Sequence, residues 1–269
     1  IIDQMRTLLL QKKFSVNDDF SHYYTSKKQE WFNYRDQLTQ ASEKSFTQAQ
    51  IIAELNGWMN EDDTVVCAAG SLPGDLHKLF NARSSEQYHM EYGYSCMGYE
   101  IAGGLGVQLA KEQGQTYVLV GDGSYLMMHT EILTSIQEQQ KIVIILIQNN
   151  MFSSINNLSK SCGSLGFGNE FRYRNPENHQ LTGDYITIDY ANNIRSLGAH
   201  AFEVTSIVEF INALEESAKS PTSCAIVAKV RNEKQVPCFH SKWEVPVSKT
   251  SQMNTVILAR KKYEEEFPI

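Results

Sequence analysis

Cysteine is scarce in this chain and scattered. The five thiols, Cys67, Cys96, Cys162, Cys224 and Cys238, lie far apart with no CxxC pair. That excludes a paired-thiol metal or redox motif and points to reduced thiols in a cytosolic protein. Long apolar runs are also missing: none approaches the roughly 18 residues a membrane span needs. No signal-peptide pattern opens the chain. Basic charge is in deficit, with a net charge of −7 and a pI near 5.5. No basic stripe interleaves with aromatics, so nucleic acid is not an expected partner. An initiator methionine is absent; the chain opens at Ile1 inside what reads as a continuing helix to Gln11. The expectation is a fragment or a trimmed chain.

What is present suffices for a sizeable core: 269 residues, 42% of them hydrophobic. Residues 1–45 are polar, aromatic and irregular, with an amphipathic helix over Lys27–Phe32, and read as a lead-in from a preceding domain. The rest, 46–269, reads as one domain with a C-terminal extension. Helices are predicted over Thr47–Met59, Gly98–Lys111, Tyr125–Gln139, Asp189–Leu197 and Ile207–Ala218, with another starting at Asp75. Strands are predicted over Thr64–Ala69, Thr116–Val120, Ile142–Ile147, Ala201–Val204 and Cys224–Val230. Continuous apolar strands alternating with helices predict an α/β fold, a parallel sheet with helices on both faces. Ligands of such sheets bind at the carboxyl ends of the strands. Gly70, Gly121 and Asn149 each stand at such an end, so three strand ends are expected to converge on one site.

The stretch from Gly121 to Asn150 carries the chemistry. Gly121 and Gly123 allow a sharp turn and close approach to a ligand. The amides of Gly123 and Ser124 open a helix, a favourable place for phosphate. Asp122 supplies a hard anionic oxygen, and the amide at the end of the next apolar strand a neutral one. Mg²⁺ takes about six oxygens, commonly from one or two side chains plus phosphates. The pattern therefore suits a cation that holds a diphosphate.

A GDG turn followed by about 26 residues and an Asn resembles the signature of thiamine diphosphate (ThDP) enzymes. The resemblance sets the register: Asn149 becomes the side-chain metal ligand, Met151 the carbonyl ligand and Phe152 the aromatic that follows. Asn150 is a neighbour only. Met151 stands where the family usually has Gly, a departure expected to strain the turn. The family places a large apolar residue at Met97 to wedge the cofactor into its bent form, and the Ser95 carbonyl would accept from the aminopyrimidine. Gly70 and Ser71 match a diphosphate-side loop, with Ser71 a hydrogen-bond donor to phosphate.

Longer strings narrow the likeness: AAGSLPGDLHK from 68, YHMEYGYSCMGYE from 88, GDGSYLMMHTE from 121, SINNL from 154 and GFGNEFR from 166. They resemble the trihydroxycyclohexane-1,2-dione hydrolases of myo-inositol catabolism, from about Gln48 to the end, where WEVPV from Trp243 matches an aromatic stretch. The resemblance implies hydrolytic opening of a cyclic 1,2-dione to 5-deoxyglucuronate. The cofactor would supply the carbanion chemistry, and the protein position and electrostatics. His89 and Glu91, with Tyr92 beside them, are the candidate acid–base groups; the alternative is a structural polar cluster. Family members also need a glutamate at the pyrimidine, carried by an N-terminal domain of the partner subunit. No part of this chain resembles that domain, so a homodimer or tetramer is implied. Two other readings stay open: a 2-oxo acid decarboxylase or carboligase of the acetolactate synthase type, and a non-catalytic ThDP-binding subunit.

Overall fold

The computed structural model describes residues 1–12, 17–40, 45–230, 236–237 and 244–267. Trp243 and Cys238 lie outside the described residues. Two compact units are present, Ile1–Gln40 and Ala41–Ile269. The first is helical: α1 spans Ile2–Gln11, as expected from the opening residues, and α2 spans Asp18–Thr39, well beyond the Lys27–Phe32 helix read from the sequence. Asn17 caps α2 by accepting from the Asp19 amide, and two aspartates fill its first turn, where the helix dipole favours them.

The second unit runs α3 (Gln48–Trp58), β1 (Thr64–Cys67), α4 (Leu72–Leu79), β2 (Tyr88–Met90), α5 (Tyr99–Ala110), β3 (Thr116–Gly121), α6 (Asp122–Tyr125), α7 (Glu131–Gln137), β4 (Ile142–Gln148), α8 (Ser153–Ser161), α9 (Tyr190–Ser196), β5 (His200–Val204), α10 (Ile207–Lys219), β6 (Cys224–Lys229) and α11 (Asn254–Glu266). The six strands form one parallel sheet in the order β2-β1-β3-β4-β6-β5. After β1 the chain turns to the β2 edge, then returns past β1 to lay down β3. Strand order therefore reverses between β1 and β3, which opens a crevice above their carboxyl ends.

Both faces of the sheet are covered. Val118, Val120, Ile144 and Leu146 pack with Ile101 of α5, Tyr125 of α6, Ile132 of α7 and Ile194 of α9. Side chains one residue out of step point to the other face; there the Tyr117 hydroxyl accepts from the Trp58 indole of α3 at 2.8 Å. The capping box at Thr47 and Gln50 fixes the start of α3.

Two predicted elements differ. The helix expected from Asp75 begins at Leu72, because Pro73 in the first turn needs no helical N–H partner. The helix expected over Tyr125–Gln139 is broken. After Leu126 the Met127 amide bonds to the Ser124 carbonyl at 3.1 Å, a tighter i→i−3 turn, so α6 ends after one turn and α7 starts afresh at Glu131; the His129 Nδ1 lies 3.1 Å from the Tyr125 carbonyl.

The small residues of α5 allow its close approach to the sheet. A Cβ on Gly104 would lie 2.2 Å from Val118 Cγ2. Gly104→Ala is expected to destabilise the chain by about 1–3 kcal/mol through overpacking, read as a lower urea midpoint at unchanged slope.

Candidate functional site

A cleft of about 220 Å³ opens above the ends of β1, β3 and β4. Of the residues read as cofactor-binding, Gly70, Ser71, Ser95, Met97, Gly121, Gly123, Ser124, Asn149, Met151 and Phe152 all line it. Asp122 lies directly behind the wall, 1% exposed. Its carboxylate accepts from the Gly123 amide on Oδ1 (2.9 Å) and from the Asn149 (2.9 Å) and Asn150 (2.5 Å) amides on Oδ2. Burial pushes this carboxyl up to about 6, against the amides of Asn150, Asn149, Gly123 and its own residue, which pull it down.

The amide pair at 149–150 divides in the structure. Asn149 faces the cleft, and its Oδ1 accepts from the Met151 amide at 3.2 Å. Asn150 takes the left-handed conformation, φ 58°, which asparagine tolerates better than most residues. The strain expected at Met151 is thus absent, since the left-handed position falls one residue earlier. Met151 is bridged to Glu170 instead. Burial pushes Glu170 up, but hydrogen bonds from Arg172, Lys160 and Tyr185 outweigh it and hold the carboxyl at about 2. Arg172 also stacks on Tyr185 at 3.7 Å, a structural commitment that takes it out of the cleft.

Gly123 leaves room for an aromatic: a Cβ there would lie 2.5 Å from the Phe152 ring. Gly70 (φ 92°) and Gly121 would meet nothing within 4 Å, so their backbones border open cleft. Ser153 and Ser154, at the start of α8, add hydroxyls and helix-start amides. The Ser153 hydroxyl donates to Ser71 Oγ at 3.0 Å, and Ser71 donates to Gln48 Oε1 at 3.4 Å. Gln48 is itself fixed by Asp75, which accepts from its amide at 2.7 Å. Neither Gln48 nor α8 was read as part of the site. A hint of α8 was available in the run of small polar residues at 153–154, but nothing local marked Gln48. No Lys or Arg lines the cleft among the described residues.

His89 and Glu91 are not brought into this wall. His89 projects from β2, where its Nε2 pairs with the Tyr99 hydroxyl at 2.8 Å. Both Glu91 oxygens accept backbone amides, from Tyr94 (2.9 Å) and Cys96 (2.8 Å). The carboxylate therefore holds the turn around Ser95, whose φ is 51°, and those amides lower its pKa.

This fold and strand-end cleft define a cofactor domain of the α/β class. Residues 68–228 match the family of the thiamine pyrophosphate enzyme C-terminal TPP binding domain, and the chain belongs to that family. Among curated relatives, a 3D-(3,5/4)-trihydroxycyclohexane-1,2-dione hydrolase 2 of Bacillus cereus is 44% identical over 210 residues, covering 78% of this chain and 33% of the relative. A 3D-(3,5/4)-trihydroxycyclohexane-1,2-dione hydrolase of Clostridium tetani is 40% identical over 256 residues, covering 93% of this chain and 40% of the relative. The chain thus spans a third to two fifths of these relatives' length. The thiamine diphosphate-dependent 4-hydroxybenzoylformate decarboxylase of Rhodococcus jostii shares the fold, with a TM-score of 0.60 at 18% identity over 71% of this chain and 34% of its own.

Burial raises Asp75 from 3.8 to about 6, against hydrogen bonding to Gln48 and the nearby Lys78. Its folded pKa exceeds the unfolded one, so its contribution to stability is full below about pH 4 and is lost as pH rises through about 6. Against Asp75→Asn, the wild type is expected to lose on the order of 3 kcal/mol between pH 4 and 7. Urea titrations of both proteins across that range measure the difference.

Proposed function

We propose that the cleft holds the diphosphate end of Mg-ThDP, and that the chain is the cofactor-binding part of a hydrolase acting on a cyclic 1,2-dione. The observation carrying this reading is the donor set. A diphosphate here meets no Lys or Arg among the described residues. Its charge must be met by a divalent cation on hard oxygens, by amides at loop and helix starts, and by serine hydroxyls. Asp122, Asn149 and the Met151 carbonyl would hold Mg²⁺. Gly121, Gly123 and the Ser124 amide border the phosphates, and Gly70 leaves backbone space beside the Ser71 hydroxyl. Phe152 packs the loop, Met97 packs the cofactor's bend, and Ser95 presents its carbonyl to the aminopyrimidine.

When bound, ThDP supplies a thiazolium carbon that adds to a carbonyl and takes up the electron pair of the adjacent C–C bond. The dione as substrate rests on the two hydrolase relatives. The residues on the page support positioning: Glu91 holds the Ser95 turn, and His89 orders Tyr99 at the start of α5. Direct acid–base roles for these two would require substrate on the outer rim. A pyrimidine-binding domain carrying the activating glutamate, from a partner subunit of a homodimer or tetramer, completes this reading. No helix among the described residues is long and apolar enough to cross a membrane. Cys67, Cys96, Cys162 and Cys224 are unpaired, which suits a cytosolic setting.

Calorimetry with ThDP and Mg²⁺ tests the site. The wild type is expected to bind, and Asp122→Ala to lose at least tenfold in affinity, about 1.4 kcal/mol or more; equal heats from the two proteins would remove the site assignment. For the substrate, the chain supplied with its pyrimidine-binding domain is expected to open the cyclic dione and leave pyruvate untouched. Turnover of pyruvate alone would instead establish the decarboxylase reading. The 269-residue chain by itself is expected to show little turnover.

A further inference from the structure

Glu100 is fully buried, 0% exposed, near the start of α5. Its Oε1 accepts from the Ala69 amide at 3.2 Å. Its Oε2 accepts from the Gly98 amide at 3.1 Å and from the Ser124 hydroxyl at 2.7 Å. The Gly98 amide also donates to Ser124 Oγ at 2.7 Å, which closes a small ring of hydrogen bonds. No cation is paired with Glu100 among the described residues. A buried carboxylate is costly unless hydrogen bonds compensate it, and these three donors, with its own backbone amide, are its compensation.

The three donors share one property: each is next in the chain to a cleft residue. Ala69 precedes Gly70, Gly98 follows Met97, and Ser124 follows Gly123. The loops they belong to leave β1, enter α5 and leave β3, and this carboxylate is bonded to all three. The Ser124 hydroxyl faces Glu100 and Gly98, so what Ser124 offers a ligand is its amide.

We propose that Glu100 is a positioning residue that sets the distance between the diphosphate-side wall, Gly70 and Gly121–Ser124, and the Met97 wall. The proposal rests on the cofactor reading above. A carboxylate alone among side chains of this size accepts at both ends without donating. In Glu100→Gln one end becomes an N–H₂ group facing N–H donors. Either the Ala69 link or the Gly98–Ser124 link then breaks, and the two walls are no longer held at one spacing.

The test compares two probes by calorimetry on the 269-residue chain: ThDP with Mg²⁺, which touches both walls, and inorganic diphosphate with Mg²⁺, which touches one. For Glu100→Gln the expected result is a loss of about tenfold to a hundredfold for ThDP. Inorganic diphosphate should stay within about threefold of wild type, below the 1.4 kcal/mol that a tenfold change represents. If Glu100→Gln does not fold by circular dichroism, Glu100→Asp, which keeps the charge but shortens the reach between the same walls, takes its place with the same expected split. Equal loss of both probes would mean a general structural role and overturns the proposal, as does unchanged binding of both. A wild type that binds neither probe removes the cofactor reading itself, and this proposal with it.

Discussion

The ladder between β3 and β4 places Gly121 opposite Ile147, and the cleft depends on that register. It makes the two strands leave the sheet side by side, so the Asp122 carboxylate reaches the amides of Asn149 and Asn150 that emerge from β4. Those amides have no further strand residue to pair with. Without Asp122 they would be partly buried donors lacking an acceptor, each costing on the order of 1–3 kcal/mol. One carboxylate therefore closes the end of the sheet. A slip of one residue would turn each side chain to the opposite face and separate the pair.

From this point the site grows outward through hydroxyls and amides. Ser153 reaches Ser71, Ser71 reaches Gln48, and Gln48 is held by Asp75. Glu100 ties the opposite side together. Every link is made by groups that keep their donor or acceptor character in low dielectric. Among the described residues this lining holds no Lys or Arg.

Much of the fold was legible because buried parallel strands are written as apolar runs. The runs at 116–120, 142–147 and 224–230 end within a residue of the observed strands. The three-residue β2 was not, because Tyr88–Met90 is a half-buried edge with no alternation to read. The early end of α6 was missed because it comes from a switch of the Met127 amide to the i−3 carbonyl of Ser124, which no residue type in the run signals. The helix to Gln11 was legible, but the full length of α2 around Lys27–Phe32 was not, for want of a clean apolar stripe; α1 and α2 bury no residue. In the cleft, residues in contiguous glycine-bearing loops were legible. Gln48, Ser153 and Glu100 were not, since each joins through a partner distant in sequence.

By itself the sequence determined the class of chemistry. Two glycines, a carboxylate between them and an amide at the next strand's end specify a turn, a charge and a ligand type, and these are local properties of residues. Tertiary structure alone decided which groups face the cleft. It turned the Ser124 hydroxyl inward and committed both oxygens of Glu91 to a turn. It also gathered three loops on Glu100. Each of these outcomes depends on which donor lies within about 3 Å of which acceptor once the strands are in register. That distance is a property of the packed sheet, and no spacing along the chain encodes it.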